Sequence, residues 1–356
     1  LLNPKDYIRY RMTGQFTTDV SDASGTGLFD VERRTWSTEL LNAIGVARAL
    51  LPDVVESIEQ TGTLAPELCA QWGLPEGTPV FGGGGDAVIQ TTAMGLIEEG
   101  SAGFTIGTAG IVAGGLSRCP DNPGGRVQVS AGNEPGRWHI MGVTLSAGGA
   151  FQWFRDAFTP LDGSRRLTFE KLIALAKEVE PGAGGVLFLP YLLGERSPHI
   201  APDASASFVG LSQMHNAGHM SRAVIEGVLM NMREILEICV DAGLQTDQII
   251  ASGGATNEPL WLQLLADVLG REVVTVTGAS EGGAYGAALA AGVGAGVWPD
   301  LPSALKQVKV ERTFTPDPAA HERYETVFAA HRRLHGALAE AYGLVAAGAA
   351  QPEPAG

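Results

Sequence analysis

The clearest periodicity in the chain runs from His219 to Ala242. Met220, Ala223, Val224, Val228, Leu229, Met232, Ile235, Leu236 and Cys239 recur at i, i+3, i+4 spacing, and Gly243 follows as a stop. That pattern predicts one long helix. A weaker copy of it covers residues 36–50 through Leu40, Leu41, Ile44 and Val46, with Ser37 as cap and Glu39 in the first turn. Short apolar runs predict strands at 78–81, 126–130, 138–145 and 185–191, and two more within 101–115 joined by a Gly-Thr turn. Helices are expected from Asp86 onward and over 150–158. From Gln248 the pattern alternates. A strand over 248–252 leads into the turn Gly253-Gly254, then a helix over 259–269 stopped by Gly270. A strand over 272–276 follows, then a small-residue helix over 282–291 with Ser280 as its cap. This β-turn-α-β-α order predicts an α/β sheet with helices on its faces. The polar break Glu98-Glu99-Gly100-Ser101 sets a domain boundary. The expected division is 1–95, 96–345 and a disordered tail over 346–356.

Length and composition narrow the class. A chain of 356 residues, 45% hydrophobic and 18% charged, fits two globular domains with substantial cores. The formal net charge of −15 argues against nucleic-acid binding, which needs a cationic surface. No segment reads as a membrane span. Cys69, Cys119 and Cys239 are isolated, which disfavours zinc and disulfide frameworks and suits buried thiols in a reducing cytoplasm. A cytoplasmic location is therefore expected. The chain opens Leu1-Leu2-Asn3-Pro4, without a methionine, and reads as cut from a longer polypeptide.

Four segments carry candidate chemistry. FGGGGD (81–86) delivers a single carboxylate, Asp86, at a helix start, where the dipole favours its ionised form. It can serve as a base toward a hydroxyl, or it can simply cap the helix. Gly107-Thr108-Ala109-Gly110 can cradle an anion with backbone N–H groups and the Thr108 hydroxyl, or be an ordinary hairpin turn. In SGGATNEPLW (252–261), Gly253 and Gly254 let a flat ring or ribose approach the backbone. Asn257 is a candidate helix N-cap, a nucleotide contact, or both. In SAGGAFQWF (146–154), Gly148 and Gln152 lie one helical turn apart and can face a ligand together, while Trp153 and Phe154 also suit a core. A carboxylate turn followed by a Gly-Thr turn points to phosphoryl transfer onto a small hydroxylated substrate. His199, alone in the aperiodic stretch 192–210 with no carboxylate partner evident, reads as structural.

In this order the segments resemble the FGGY family of carbohydrate kinases, most closely its xylulose-phosphorylating branch. The most specific stretch is ASFVGLSQMHNAGHMSRAVIE (206–226), preceded by GERSPH (194–199). The resemblance implies an actin-like, ribonuclease-H-like α/β fold of two domains, the first incomplete here. Sugar would bind mainly to the first domain and ATP with Mg²⁺ mainly to the second. It implies Asp86 as catalytic base at the sugar. Gly107, Thr108, Gly148, Gln152, Trp153, Gly253, Gly254 and Asn257 would lie at the nucleotide, and no residue is assigned to the metal. Ala87 departs from the family, where an amide side chain that touches the sugar usually follows the base. D-xylulose is the leading substrate expected, with glycerol, ribulose, fuculose or gluconate as alternatives. A nucleotide-binding fragment without turnover is a further alternative, an actin-like polymer is disfavoured, and homodimerisation is left open.

Overall fold

The long helix spans Ala217–Asp241 in the computed structural model, which describes residues 1–122, 124–159 and 167–349. Asn216 starts it: its side chain accepts the N–H groups of Gly218 and His219, and the His219 ring reaches back to the Asn216 N–H. That capping box satisfies donors that have no partner in the first helical turn. Burial extends around the helix, well beyond one stripe, so it lies at the centre of the fold. Two of its buried polar residues, Arg222 and Glu226, form a network with Tyr324. Arg222 Nε donates to Glu226 Oε1 (2.7 Å), Arg222 Nη2 to the Tyr324 hydroxyl (2.9 Å), and that hydroxyl to Glu226 Oε1 (2.7 Å). Tyr324 belongs to a 32-residue helix, Pro318–Ala349, that packs on the outside and that the pattern analysis did not single out.

The central sheet has seven strands in the order Val310–Phe314, Val273–Val276, Gln248–Ser252, Ser101–Ile106, Gly110–Leu116, Trp138–Thr144, Gln128–Ala131. Gln248–Ser252 runs parallel to both neighbours, and every other pairing is antiparallel. The main core joins Phe104, Ile106 and Ile140 of the sheet to Phe151, Phe154, Val228, Met232 and Leu265 of the helices. A smaller cluster sets Met94 and Leu96 against Ile250, Val274 and Val276. Residues 1–95 form a separate set of short pairings around Val20, Phe29, Trp36 and Leu41.

Several expectations change. The helix over 36–50 is only Thr38–Ile44; Ser37 caps it at Leu40 N–H, and Gly45 ends it in a left-handed conformation. Leu40 and Ile44 are exposed, so only Leu41 of that helix reaches the core. Ser280 does not cap the small-residue helix, which spans Gly283–Gly294; its hydroxyl bonds Glu281 instead. Of the expected tail, residues 346–349 are the end of the Pro318–Ala349 helix, and 350–356 lie outside the described residues. His199 does have a carboxylate partner: its Nε2 lies 3.3 Å from Glu234 Oε1, and its ring stacks on His335 at 3.9 Å.

Two features of this packing are testable. The helix Asp86–Ala93 crosses Gly283–Gly294 so closely that a Cβ on Gly286 would overlap the Ile89 carbonyl. Gly→Ala in an open helix ordinarily stabilises by about 0.5–1 kcal/mol. Here Gly286→Ala is expected to lose about 1–3 kcal/mol from overpacking. An unchanged or raised urea midpoint would contradict the crossing. The second feature is Glu234, 8% exposed, whose carboxyl is pushed up from 4.5 to about 7 by burial, against the pull of Arg332 and Arg126 and with Glu237 pushing the same way. His199 is held down at about 4, chiefly by burial, so both partners are largely neutral between about pH 4 and pH 7. The fold favours protonated Glu234, so its contribution is complete below about pH 4.5 and is lost as pH rises through about 7. Glu234→Gln should therefore raise the thermal midpoint more at pH 8 than at pH 5; an equal gain at both would refute the assignment.

Candidate active site

The glycine turn before Asp86 is shaped by its surroundings. A Cβ on Gly82 would sit 2.6 Å from the Glu56 carbonyl oxygen, Gly83 has φ +71°, and a Cβ on Gly84 would overlap the Asn133 amide. The glycines thus admit protein atoms from Glu56 and Asn133. The turn is also bonded in place. Gly82 O accepts from Arg9 Nη1 (2.5 Å), Gly83 N–H donates to Ser57 O (2.9 Å), and Gly85 N–H donates to Ser21 Oγ (2.9 Å). Asp86 is then the first residue of its helix, with Gly85 as N-cap. Its side chain is exposed, and among the described residues its hydrogen bond comes from the adjacent Ala87 N–H (2.6 Å). Asp86 therefore does not act as the helix cap, and its carboxylate can take up a proton from a substrate hydroxyl.

Among the described residues, Asp6, Asp19 and Asp22 form an acidic cluster with the spacing of a metal site. It does not fit a divalent cation. Lys5 Nζ already lies 2.6 Å from Asp6, 2.9 Å from Asp19 and 3.7 Å from Asp22. Burial works against the Lys5 ammonium, but Asp19 and Asp6 outweigh it and raise its pKa. A fixed ammonium at that spot repels Mg²⁺.

On the sheet side, the Gly-Thr turn joins Ser101–Ile106 to Gly110–Leu116, with Thr108 exposed at its tip. The next segment holds it: Ala147 and Gly149 N–H donate to Thr108 O (2.8 and 3.1 Å), and Gly148 N–H to Gly107 O (2.8 Å). A Cβ on Gly148 would approach Gly107 O to 2.7 Å, so glycine is required for the contact. Beside this turn opens a cavity of about 510 Å³. Gly107, Thr108, Gly148, Gln152, Gly254 and Asn257 line it together. Its floor is apolar and includes Phe151, Phe169, Ile173 and Trp261, with Phe151 stacked on Phe169 and edge-on to Trp261. That floor suits a flat heterocycle, and the Gly-Thr turn and Gln152 supply polar groups at its edge.

Sequence reasoning missed Phe151, Phe169 and Trp261. Phe151 and Trp261 sit inside segments already singled out, so the available signal was an aromatic next to a polar candidate. Trp153 does not join the site. It points to the other side of its helix, with its ring 6.4 Å from Phe188. Asn257 is in the cavity but is not a helix cap; it ends the short turn Gly254–Asn257, and Glu258 precedes the helix Pro259–Leu269. Gly253, at φ +91° and with no room for a Cβ against Ile106, faces a second cavity of about 460 Å³. Gln90, one turn after Asp86, lines that cavity too, so the Asp86 helix and the glycine pair share one cleft.

The fold and these segments match known proteins over nearly the whole chain. Residues 1–95 match the N-terminal domain, and residues 102–295 the C-terminal domain, of the FGGY family of carbohydrate kinases. The xylulose kinase of Bacillus subtilis strain 168 is 32% identical over 335 residues, which is 94% of this chain and 66% of that protein. The chain thus spans about two thirds of the length of the curated relatives it matches. Two solved structures from Lactobacillus acidophilus, a ligand-bound xylulose kinase and a gluconate kinase, each align with a TM-score of 0.90 at 26% identity. They cover 96% and 97% of this chain, and 68% and 69% of their own chains. Among the described residues no helix is long and apolar enough to cross a membrane. The chain belongs to the FGGY family of carbohydrate kinases and has the family's actin-like ATPase fold.

Proposed function

We propose that this chain is the larger part of an ATP-dependent kinase that phosphorylates a hydroxyl of a small sugar, D-xylulose foremost. The observation that carries this reading is the pairing of an exposed carboxylate on a fixed glycine turn with an aromatic-floored cavity beside the Gly-Thr turn. Residues 1–95 contribute to the sugar side and residues 96–345 to the nucleotide side. ATP supplies the transferable phosphoryl group. Phe151, Phe169 and Trp261 receive the base, Gln152 and Asn257 orient it, and the exposed Thr108 hydroxyl faces the phosphates. Asp86 accepts the substrate hydroxyl proton as that oxygen attacks phosphorus. Mg²⁺ would arrive with the nucleotide phosphates; Asp6, Asp19 and Asp22, occupied by Lys5, are not its ligands. The similarity to a gluconate kinase keeps gluconate as the second substrate to be tested.

Coupled ADP release across a panel of ketoses, polyols and gluconate tests the reading. Asp86→Asn should lower kcat by about 10²–10⁴-fold, the usual contribution of general acid–base catalysis, while calorimetric ATP affinity stays unchanged. Full turnover by that variant would remove Asp86 from the mechanism. ATP binding without turnover of any sugar by the wild-type chain would favour a nucleotide-binding fragment. Ala87 leaves a sugar hydroxyl without an amide partner. Ala87→Asn should therefore lower the ketose KM by up to about tenfold, the worth of one added hydrogen bond, with little change in kcat. An unchanged KM would place residue 87 away from the sugar.

A further inference from the structure

The side chain pressed against the base-carrying turn comes from the segment that matches the C-terminal domain, residues 102–295. Asn133 lies in the loop between the paired strands Gln128–Ala131 and Trp138–Thr144 and is 1% exposed. Its Nδ2 donates to Ser57 Oγ (2.8 Å) and Ser21 Oγ (3.2 Å), and its Oδ1 accepts from Thr92 Oγ1 (2.8 Å). Ser21 Oγ in turn accepts the Gly85 N–H at 2.9 Å and donates to Asp19 at 2.5 Å. One amide therefore packs on Gly84, supports the hydroxyl that holds Gly85, and is locked by a threonine on the helix that Asp86 begins.

The loop that carries Asn133 is itself held. Arg34, ion-paired with Glu56, donates to Gly132 O (3.1 Å) and Arg137 O (2.9 Å). At the far end of Trp138–Thr144, Thr144 pairs with Gly110, just past the Gly-Thr turn. A single strand thus runs from the phosphate-side turn to the loop that braces the base.

We propose that Asn133 is a positioning residue for Asp86, fixing the glycine turn and tying it through Trp138–Thr144 to the Gly107-Thr108 turn. Its effect on turnover rests on the kinase reading; its hold on the turn does not.

Hydrogen exchange on the 356-residue chain tests that hold directly, comparing wild type with Asn133→Ala, Thr92→Val and Thr92→Ser. Thr92→Val is the milder probe, removing only the donor that locks the amide. Asn133→Ala and Thr92→Val should speed exchange over residues 82–88 by at least about tenfold, with 248–276 unchanged and Thr92→Ser close to wild type. In the kinase assay, kcat should fall more than either KM changes. Unchanged exchange at 82–88 in both variants would overturn the proposal, and so would equal acceleration across 248–276, which marks a general structural role. Full kcat in Asn133→Ala would also overturn it. A wild-type chain that phosphorylates nothing would sink the kinase reading, while the exchange comparison would still decide the role of Asn133.

Discussion

A backbone-to-backbone contact sets the geometry of the molecule. Where Asp86–Ala93 crosses Gly283–Gly294, no side-chain carbon fits between Gly286 and the Ile89 carbonyl. The first helix carries the exposed carboxylate; the second leaves the sheet beyond Val273–Val276. Their separation is fixed by van der Waals contact at close-packed density, which leaves little room to adjust. The run of small residues over 283–294 follows from this. Gly294 meets the Ile58 carbonyl in the same way, so the helix needs glycine at two crossings with the first segment.

Elsewhere the fold joins distant segments through buried polar groups that make several hydrogen bonds each, although Arg9 Nε has no partner among the described residues. Arg9, 4% exposed, reaches Gly82 O and Thr17 O as well as Asp6. Glu195, 3% exposed, accepts from the Thr144 hydroxyl, the Leu145 and Arg196 N–H groups and Asn231 Nδ2. Burial still pushes the Glu195 carboxyl up, and those four donors only partly offset it. Such groups add little net stability over an apolar core, but leaving one partner unpaired is costly. They therefore favour one arrangement of these segments over others that would bury similar apolar area.

The sheet and its helices were legible because their signal is periodic: 248–252, 259–269 and the long helix all form within two residues of where spacing put them. The helix Pro318–Ala349 escaped notice because its buried face, with Tyr324, Phe328, His331 and Tyr342, mixes polar and apolar residues. Asp86 and the Gly-Thr turn stood out because glycine clusters are rare signals. The reason for four glycines was not legible, since Glu56 and Asn133 approach from far along the chain. The most family-specific stretch, 206–226, supplies Arg222 and Glu226 to a buried network with Tyr324, not to the cleft. Motif strength there reports packing. The His199–Glu234 contact was invisible for a related reason: the partners are brought together only by the fold.

The strand Trp138–Thr144 has a consequence for how such a chain can change in length. Its pleat alternates side chains between two faces, and its ends meet the Gly-Thr turn and the Asn133 loop. Deleting or inserting one residue would invert every side chain beyond the change and carry the loop to the wrong face. Loops on the surface can absorb such events; this strand cannot. Drift by insertion and deletion should therefore be confined to other parts of the molecule, with this seven-residue segment keeping a constant length even where its residues are exchanged.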